Sequence, residues 1–281
     1  MILPVTYLFA PANDERKVSK AMRSDAGAVI LDLEDSIPDG MKHTAREQLR
    51  KYLTMRQATA DDPQVWVRIN GSDPDFGLDL ETVPWSRVAG AILPKAERAE
   101  SVQTLVSSGA KRVLPIIESG AGFKMLDHLV NSGRIERFAI GTLDLAIDLG
   151  IIAVNADESE LIWQLRGNLV LASRQLNLPP PVDGVHIQFD DDEGLRRLSQ
   201  RAHHMGFAAK LIIHPRQIPI VRSVFQPHED VLQHARNVVR AYDKAVSEGR
   251  GAVQLNGEMI DRPVVERARA LLERWSATEN H

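Results

Sequence analysis

Short apolar runs rich in β-branched residues punctuate the chain, and between them apolar residues fall three and four apart. The runs are TYLFAP (6–11), AVILDLE (28–34), VWVRIN (65–70), GAILPK (90–95), RVLPIIE (112–118), RFAIGT (137–142), GVHIQF (184–189) and AKLIIHP (209–215). Each predicts a strand. Segments such as ERKVSKAMRS, HTAREQLRKYL, RAESVQTLVSSG, FKMLDHLVNSG and DEGLRRLSQRAHHMG predict helices between them. Strands that alternate with helices imply parallel pairing, and near-continuous apolar strands imply cover on both faces. Eight such units predict an α/β fold, a (β/α)8 TIM barrel over residues 1–220, in preference to a doubly wound sheet.

Residues 221–281 exceed what barrel closure requires. They predict one or more long helices, then a β-hairpin in GAVQLNGEMID around an Asn-Gly turn, then a helix with Pro263 in its first turn. This helical and hairpin extension is expected to act as a lid over the barrel mouth or as a contact with a neighbouring subunit.

Composition narrows the function classes. The chain of 281 residues is 43% hydrophobic and 26% charged, which is ordinary for a globular protein. Its 34 basic and 38 acidic side chains leave a net charge of −4, which argues against bulk affinity for nucleic acid or an anionic membrane. There is no cysteine, so disulfides, thiolate metal ligands and a cysteine nucleophile are excluded. The first residues are apolar but lack a basic leader region, and no apolar run reaches the ~18–20 residues of a membrane span. A soluble, cytoplasmic protein is expected. GxSxG, P-loop and GxGxxG motifs are absent from the sequence.

Polar groups gather where strands end. In VILDLEDS an apolar run is closed by Asp32, Glu34 and Asp35, and other strand ends carry Arg68, Asn70, Lys95, Glu118, Asp144 and His214. Barrel active sites lie at the C-terminal strand ends. Glu118 and Asp144 close neighbouring predicted strands, which lie about 4.8 Å apart in a parallel sheet. Two carboxylates there suit one Mg2+ ion, with other positions left to water and substrate oxygens; the plainer alternative is a pair of helix-capping acids, Asp148 included. Arg68 interrupts an apolar run, so it needs a partner, either a substrate carboxylate or a structural pairing with Glu34 or Asp35. Lys95 adds positive potential for a carboxylate or phosphate, or else snorkels. His214 reads as packing and hydrogen-bonding its turn, and His203 and His204 as helix surface.

Taken in order, YLFAPAND, AVILDLEDSIPDGMKHTAR, VRING, GAILPKAE, LPIIESGAG, IGTLDLAIDLG, DGV, GFAAKLIIHPRQI and NGEMIDRPVV resemble the proteins similar to the citrate lyase β subunit. These fall in the HpcH/HpaI aldolase family beside malyl-CoA and citramalyl-CoA lyases. The resemblance implies Mg2+ held by Glu118 and Asp144, and Arg68 touching substrate beside the metal. It makes Glu34, Asp35 and Lys95 pocket residues. It implies that Asp261 acts in acid–base chemistry within a neighbouring subunit's site, in a homotrimer or a hexamer of trimers.

The implied reaction is Mg2+-dependent, reversible carbon–carbon cleavage of a malyl-, citramalyl- or citryl-type 3-hydroxyacyl-CoA to acetyl-CoA and a 2-oxo acid. Alternatives are hydrolysis of a malyl-type thioester, action as a subunit with an acyl-carrier partner, and a CoA-independent 2-oxo-acid aldolase. Relatives usually begin RSxLFxPG, where this chain has Val5 for the arginine and Ala12 for the glycine. The loss at Val5 is expected to bear on the substrate more than on the reaction class.

Overall fold

The computed structural model describes residues 3–152, 157 and 159–275. Eight parallel strands close on themselves in sequence order. They are β1 (Thr6–Pro11), β2 (Ala28–Asp32), β3 (Gln64–Arg68), β4 (Gly90–Leu93), β5 (Val113–Ile117), β6 (Ala139–Ile140), β7 (Val182–Asp183) and β8 (Ala209–Ile212). Closure is made by β1 against β8, with Thr6 opposite Lys210. The expected (β/α)8 barrel is therefore the fold.

The barrel's helices are α1 (Glu15–Met22), α2 (Lys42–Met55), α3 (Asp75–Thr82), α4 (Ala99–Ser107), α5 (Gly120–Lys124), α6 (Leu126–Asn131), α7 (Thr142–Asp148), α8 (Glu160–Gln175), α9 (Asp192–Met205) and α10 (Gln217–Phe225). The single helix expected from FKMLDHLVNSG is two short ones, broken at Met125. The expected strand at 184–189 also differs. The wall strand is β7, just ahead of it, and the later residues carry exposed Ile187 and Phe189. Alternation of apolar and polar residues marks an extended chain, but it does not say whether neighbours accept its hydrogen bonds.

Strand side chains alternate between the barrel axis and the helix layer. Tyr7, Ile30, Trp66, Ile92, Leu114 and Ile116 belong to one buried inner cluster with Val182, Ala209 and Leu211. Two residues past Ile30, Trp66 and Ile116 come Asp32, Arg68 and Glu118, so parity sets all three above the apolar plug. Gly90 makes room for the plug: a Cβ there would lie 2.5 Å from the Trp66 ring.

The opposite parity sends Asp183 and Lys210 outward, under the helices. Asp183 accepts from Arg166 Nε of α8 at 2.8 Å and from Lys210 Nζ. All three side chains are almost wholly buried. Burial alone would raise the Asp183 pKa, but the two cations hold it below the usual carboxylate range.

A second compact unit begins at Gln226. It contains α11 (Glu229–Ser247), a hairpin of β9 (Val253–Leu255) and β10 (Glu258–Ile260), and α12 (Arg262–Trp275). The hairpin turns on Asn256 and Gly257, whose φ values of 50° and 89° are those of the expected Asn-Gly turn. Ala235, Val238, Ile260 and Ala268 form its core.

Removing Asp183 leaves the buried Lys210 ammonium without a counter-charge and Arg166 with Asp157 alone. Asp183→Ala is expected to lower stability by about 3–5 kcal/mol, read from urea unfolding; a loss near zero would mean that the trio is not a structural anchor.

Candidate active site

β2 and β3 run in register, with Asp32 opposite Arg68. Arg68 Nε donates to Asp32 Oδ1 at 2.6 Å and Nη2 to Oδ2 at 2.7 Å, a fork on a fork. Asp32 also accepts from the backbone N–H groups of Glu34 and Ser36. Its burial favours the neutral acid, yet these bonds and the Arg68 charge keep its pKa below normal. The guanidinium lies 4.7 Å from the centre of the Phe9 ring. Asp32 is thus the chief partner of Arg68, where the sequence offered a substrate carboxylate or, as the alternative, Glu34 or Asp35. The signal was present: AVILD and QVWVR both end an apolar run on a charge.

Glu34 and Asp35 are nevertheless at hand. Arg68 Nη1 lies 2.8 Å from Glu34 Oε2 and 3.4 Å from Asp35 Oδ2. The Glu34 contact is off the N–H direction, so Oε2 is a buried acceptor with no hydrogen-bond donor. The other Glu34 oxygen accepts from Lys95 Nζ at 2.9 Å. Burial raises the Glu34 pKa, opposed by the Arg68 charge and abetted by Asp35.

Lys95 grips two acids at once. Its backbone N–H donates to Glu118 Oε1 at 2.6 Å while its ammonium holds Glu34. To do so it adopts a left-handed φ of 46°. Glu118 itself is 6% exposed, and it lies so close to Gly141 that a Cβ there would sit 2.4 Å from Oε2. Burial, with the nearby charges of Asp144 and Glu34, pushes the Glu118 carboxyl up to about 8. Asp144 is half-buried in the first turn of α7, beyond the strand end where it was expected, because β6 is only two residues long.

A shell of buried polar groups holds these loops, and of Lys42, Arg46, Asn70 and Asp79 only Asn70 stood out in the sequence. Lys42 Nζ donates to the carbonyls of Leu33 and Glu34 and to Asn70 Oδ1. Asp79 accepts from the Asn70 backbone and side chain and from Arg46 Nε. Asp148 accepts from the Gly120 N–H at 2.8 Å, so of the two α7 acids it is the one that caps a helix. His214 fulfils the plainer expectation: its Nδ1 accepts from the Arg216 N–H, and its ring packs 5.3 Å from Phe189.

Two further residues singled out in the sequence are Val5 and Asp261. Val5 is buried and precedes β1, at the opposite end of a six-residue strand from Pro11, roughly 20 Å from the mouth. The change from arginine therefore concerns the barrel floor, where the Val5 carbonyl accepts from Lys210 N–H, and not the mouth. Asp261 belongs to the second unit, where it starts α12 and accepts from the Val264 N–H.

Glu118 and Asp144 offer only hard oxygen donors and repel each other's charge, as a pair made to share a divalent cation would. Among the described residues no group of three or more His, Asp or Glu side chains is gathered closely enough to hold a metal by itself, at the mouth or elsewhere. Two carboxylates suit Mg2+, which keeps several positions for water and substrate.

A closed parallel barrel whose C-terminal mouth sets paired carboxylates beside a clamped arginine has the make-up of a metal-assisted barrel enzyme. The chain belongs to the HpcH/HpaI aldolase/citrate lyase family, whose model matches residues 6–215, and it is an enzyme of the carbon–carbon lyase kind. It is 30% identical to the citrate lyase subunit beta of Leuconostoc mesenteroides over 98% of this chain and 94% of that protein. It is 31% identical to a (3S)-malyl-CoA thioesterase of Cereibacter sphaeroides over 97% and 94%. The solved structure of CitE from Mycobacterium tuberculosis, in complex with magnesium, acetoacetate and coenzyme A, matches with a TM-score of 0.78 at 30% identity, covering 98% of each chain.

The raised Glu118 pKa has a sign. Between pH 4.5 and about 8 the folded, metal-free protein keeps a proton that the unfolded chain has lost. The contribution is complete below the unfolded value and is lost as pH rises through the folded one. Urea unfolding in chelator is expected to show stability falling across that window, with a flatter profile for Glu118→Gln. Equal slopes would show that Glu118 is not the titrating group.

Proposed function

We propose that this chain is a Mg2+-dependent lyase that cleaves a malyl-type 3-hydroxyacyl-CoA reversibly into a 2-oxo acid and acetyl-CoA (or a homologue). The observation that carries the reading is the convergence of Glu118, Asp144, Arg68 and Glu34 on one barrel mouth. Glu118 and Asp144 would hold Mg2+, which when bound supplies Lewis acidity toward the substrate's carboxylate and hydroxyl oxygens.

The protein's own groups do the remainder. Glu34 Oε2, buried and without a donor, accepts the hydroxyl proton, and its raised pKa suits it to hold that proton. As the carbon–carbon bond breaks, its electron pair moves into the thioester to give an enolate. Arg68 stabilises that charge, its orientation fixed by Asp32. Asp261 of a neighbouring subunit supplies the proton that turns the enolate into acetyl-CoA, which requires a homo-oligomer. Beside the mouth an open cavity of about 530 Å³ is lined by Pro11, Asn13, Arg16, Lys17 and Ser36 together with Asp14 and Glu15, and Lys17 lies 3.6 Å from Asp14, so its two cations are balanced by two acids.

Thioester hydrolysis is the second reading, favoured by the likeness to a (3S)-malyl-CoA thioesterase. Products separate the two. Cleavage of malyl-CoA yields acetyl-CoA and a 2-oxo acid, whereas hydrolysis yields malate and free CoA.

A panel of malyl-type CoA esters, assayed with and without Mg2+, is expected to release 2-oxo acid only with the metal and not in Asp144→Asn. Free CoA without 2-oxo acid would establish the hydrolase reading, and silence on every ester would point to a carrier-bound or free-acid substrate. Asp261→Asn is expected to lower kcat by about 10²–10⁴ with the oligomer intact; normal turnover would remove Asp261 from the mechanism.

A further inference from the structure

Asp148 stands in an unfavourable place. It is the last residue of α7, where the helix dipole is negative and an acid is disfavoured. Its partner explains it: the carboxylate leaves its own helix and accepts the Gly120 N–H at 2.8 Å, at the first residue of α5. Ser119, the residue before, covers the neighbouring N–H of Gly122.

The position of this bond matters more than its strength. The β5 end and the β6–α7 segment are tied twice. One tie is the Gly141 N–H on the Ile117 carbonyl at 3.0 Å, and the other is Gly120 N–H on Asp148. Glu118 lies between the anchors 117 and 120 on one side, and Asp144 between 141 and 148 on the other. Asp144 and Asp148 are four apart, so they share a face of α7. Whatever orients α7 about the Gly141 tie therefore sets how far Asp144 stands from Glu118.

We propose that Asp148 is a positioning residue for the cation site, fixing α7 against the β5–α5 loop and so setting the separation of the Glu118 and Asp144 carboxylates. The proposal rests on the reading of that pair as the Mg2+ ligands. The role needs an acceptor for one N–H and does not need a charge, so asparagine should serve and alanine should not.

Binding of Mn2+ alone, as a paramagnetic stand-in for Mg2+, would be measured on the metal-free full chain for wild type, Asp144→Asn, Asp148→Ala and Asp148→Asn. Circular dichroism and oligomeric state would confirm that each is folded. Loss of binding in Asp144→Asn with wild-type binding intact upholds the site itself; a wild type that binds no Mn2+ overturns the site and the proposal together. With the site upheld, Asp148→Ala is expected to weaken Mn2+ about 10–100-fold, and Asp148→Asn to stay within about threefold of wild type. An unchanged Asp148→Ala overturns the proposal alone. Equal weakening in both variants also overturns it, since Asp148 would then act through its charge.

Discussion

In a closed barrel of parallel strands each residue has two directions available, toward the axis or toward the helices, and one step along the chain exchanges them. The rest of this molecule depends on that constraint. Tyr7, Ile30, Trp66 and Ile116 fill the axis, and the next positions in phase are Asp32, Arg68 and Glu118. The residues out of phase, Asp183 and Lys210, become an ion-paired layer beneath the helices. On the strands, parity separates the groups of the mouth from those of the scaffold.

The mouth crowds Asp32, Glu34, Asp35 and Glu118 around the cations Arg68 and Lys95. The acids do not share the cations equally. Asp32 receives both arms of the guanidinium fork and is held ionised. Glu34 and Glu118 receive less than their burial demands, and both are pushed toward the neutral form. Such a site is electrostatically incomplete by itself, and a divalent cation is the natural complement to the deficit. The inner ring of Lys42, Asn70, Asp79 and Arg46 keeps the loops from relaxing it by movement.

Much of this was legible in the sequence, and the reasons are local. β1 coincides with TYLFAP because a largely buried wall strand needs a nearly unbroken apolar run. Glu118, Arg68 and Lys95 were visible as charges closing such runs. Asp32 was visible as an acid closing VILDLEDS but not as the partner of Arg68, since that pairing lies in register across two strands, and register is a relation between segments. Asp79 and Arg46 are ordinary charges on helices until folding buries them against each other. β7 was displaced because an extended loop and a short strand carry the same alternation.

Lys95 is a case of local frustration. A non-glycine residue in the left-handed region costs roughly 1–2 kcal/mol, and glycine would adopt the same φ of 46° without that cost. Glycine would keep the amide that holds Glu118 but lose the ammonium that holds Glu34. Glycine would thus relieve the backbone and leave the buried Glu34 carboxylate with one counter-charge fewer. Any change at this position weighs a strained turn against an unbalanced acid, which ties the shape of one loop to the charge of another.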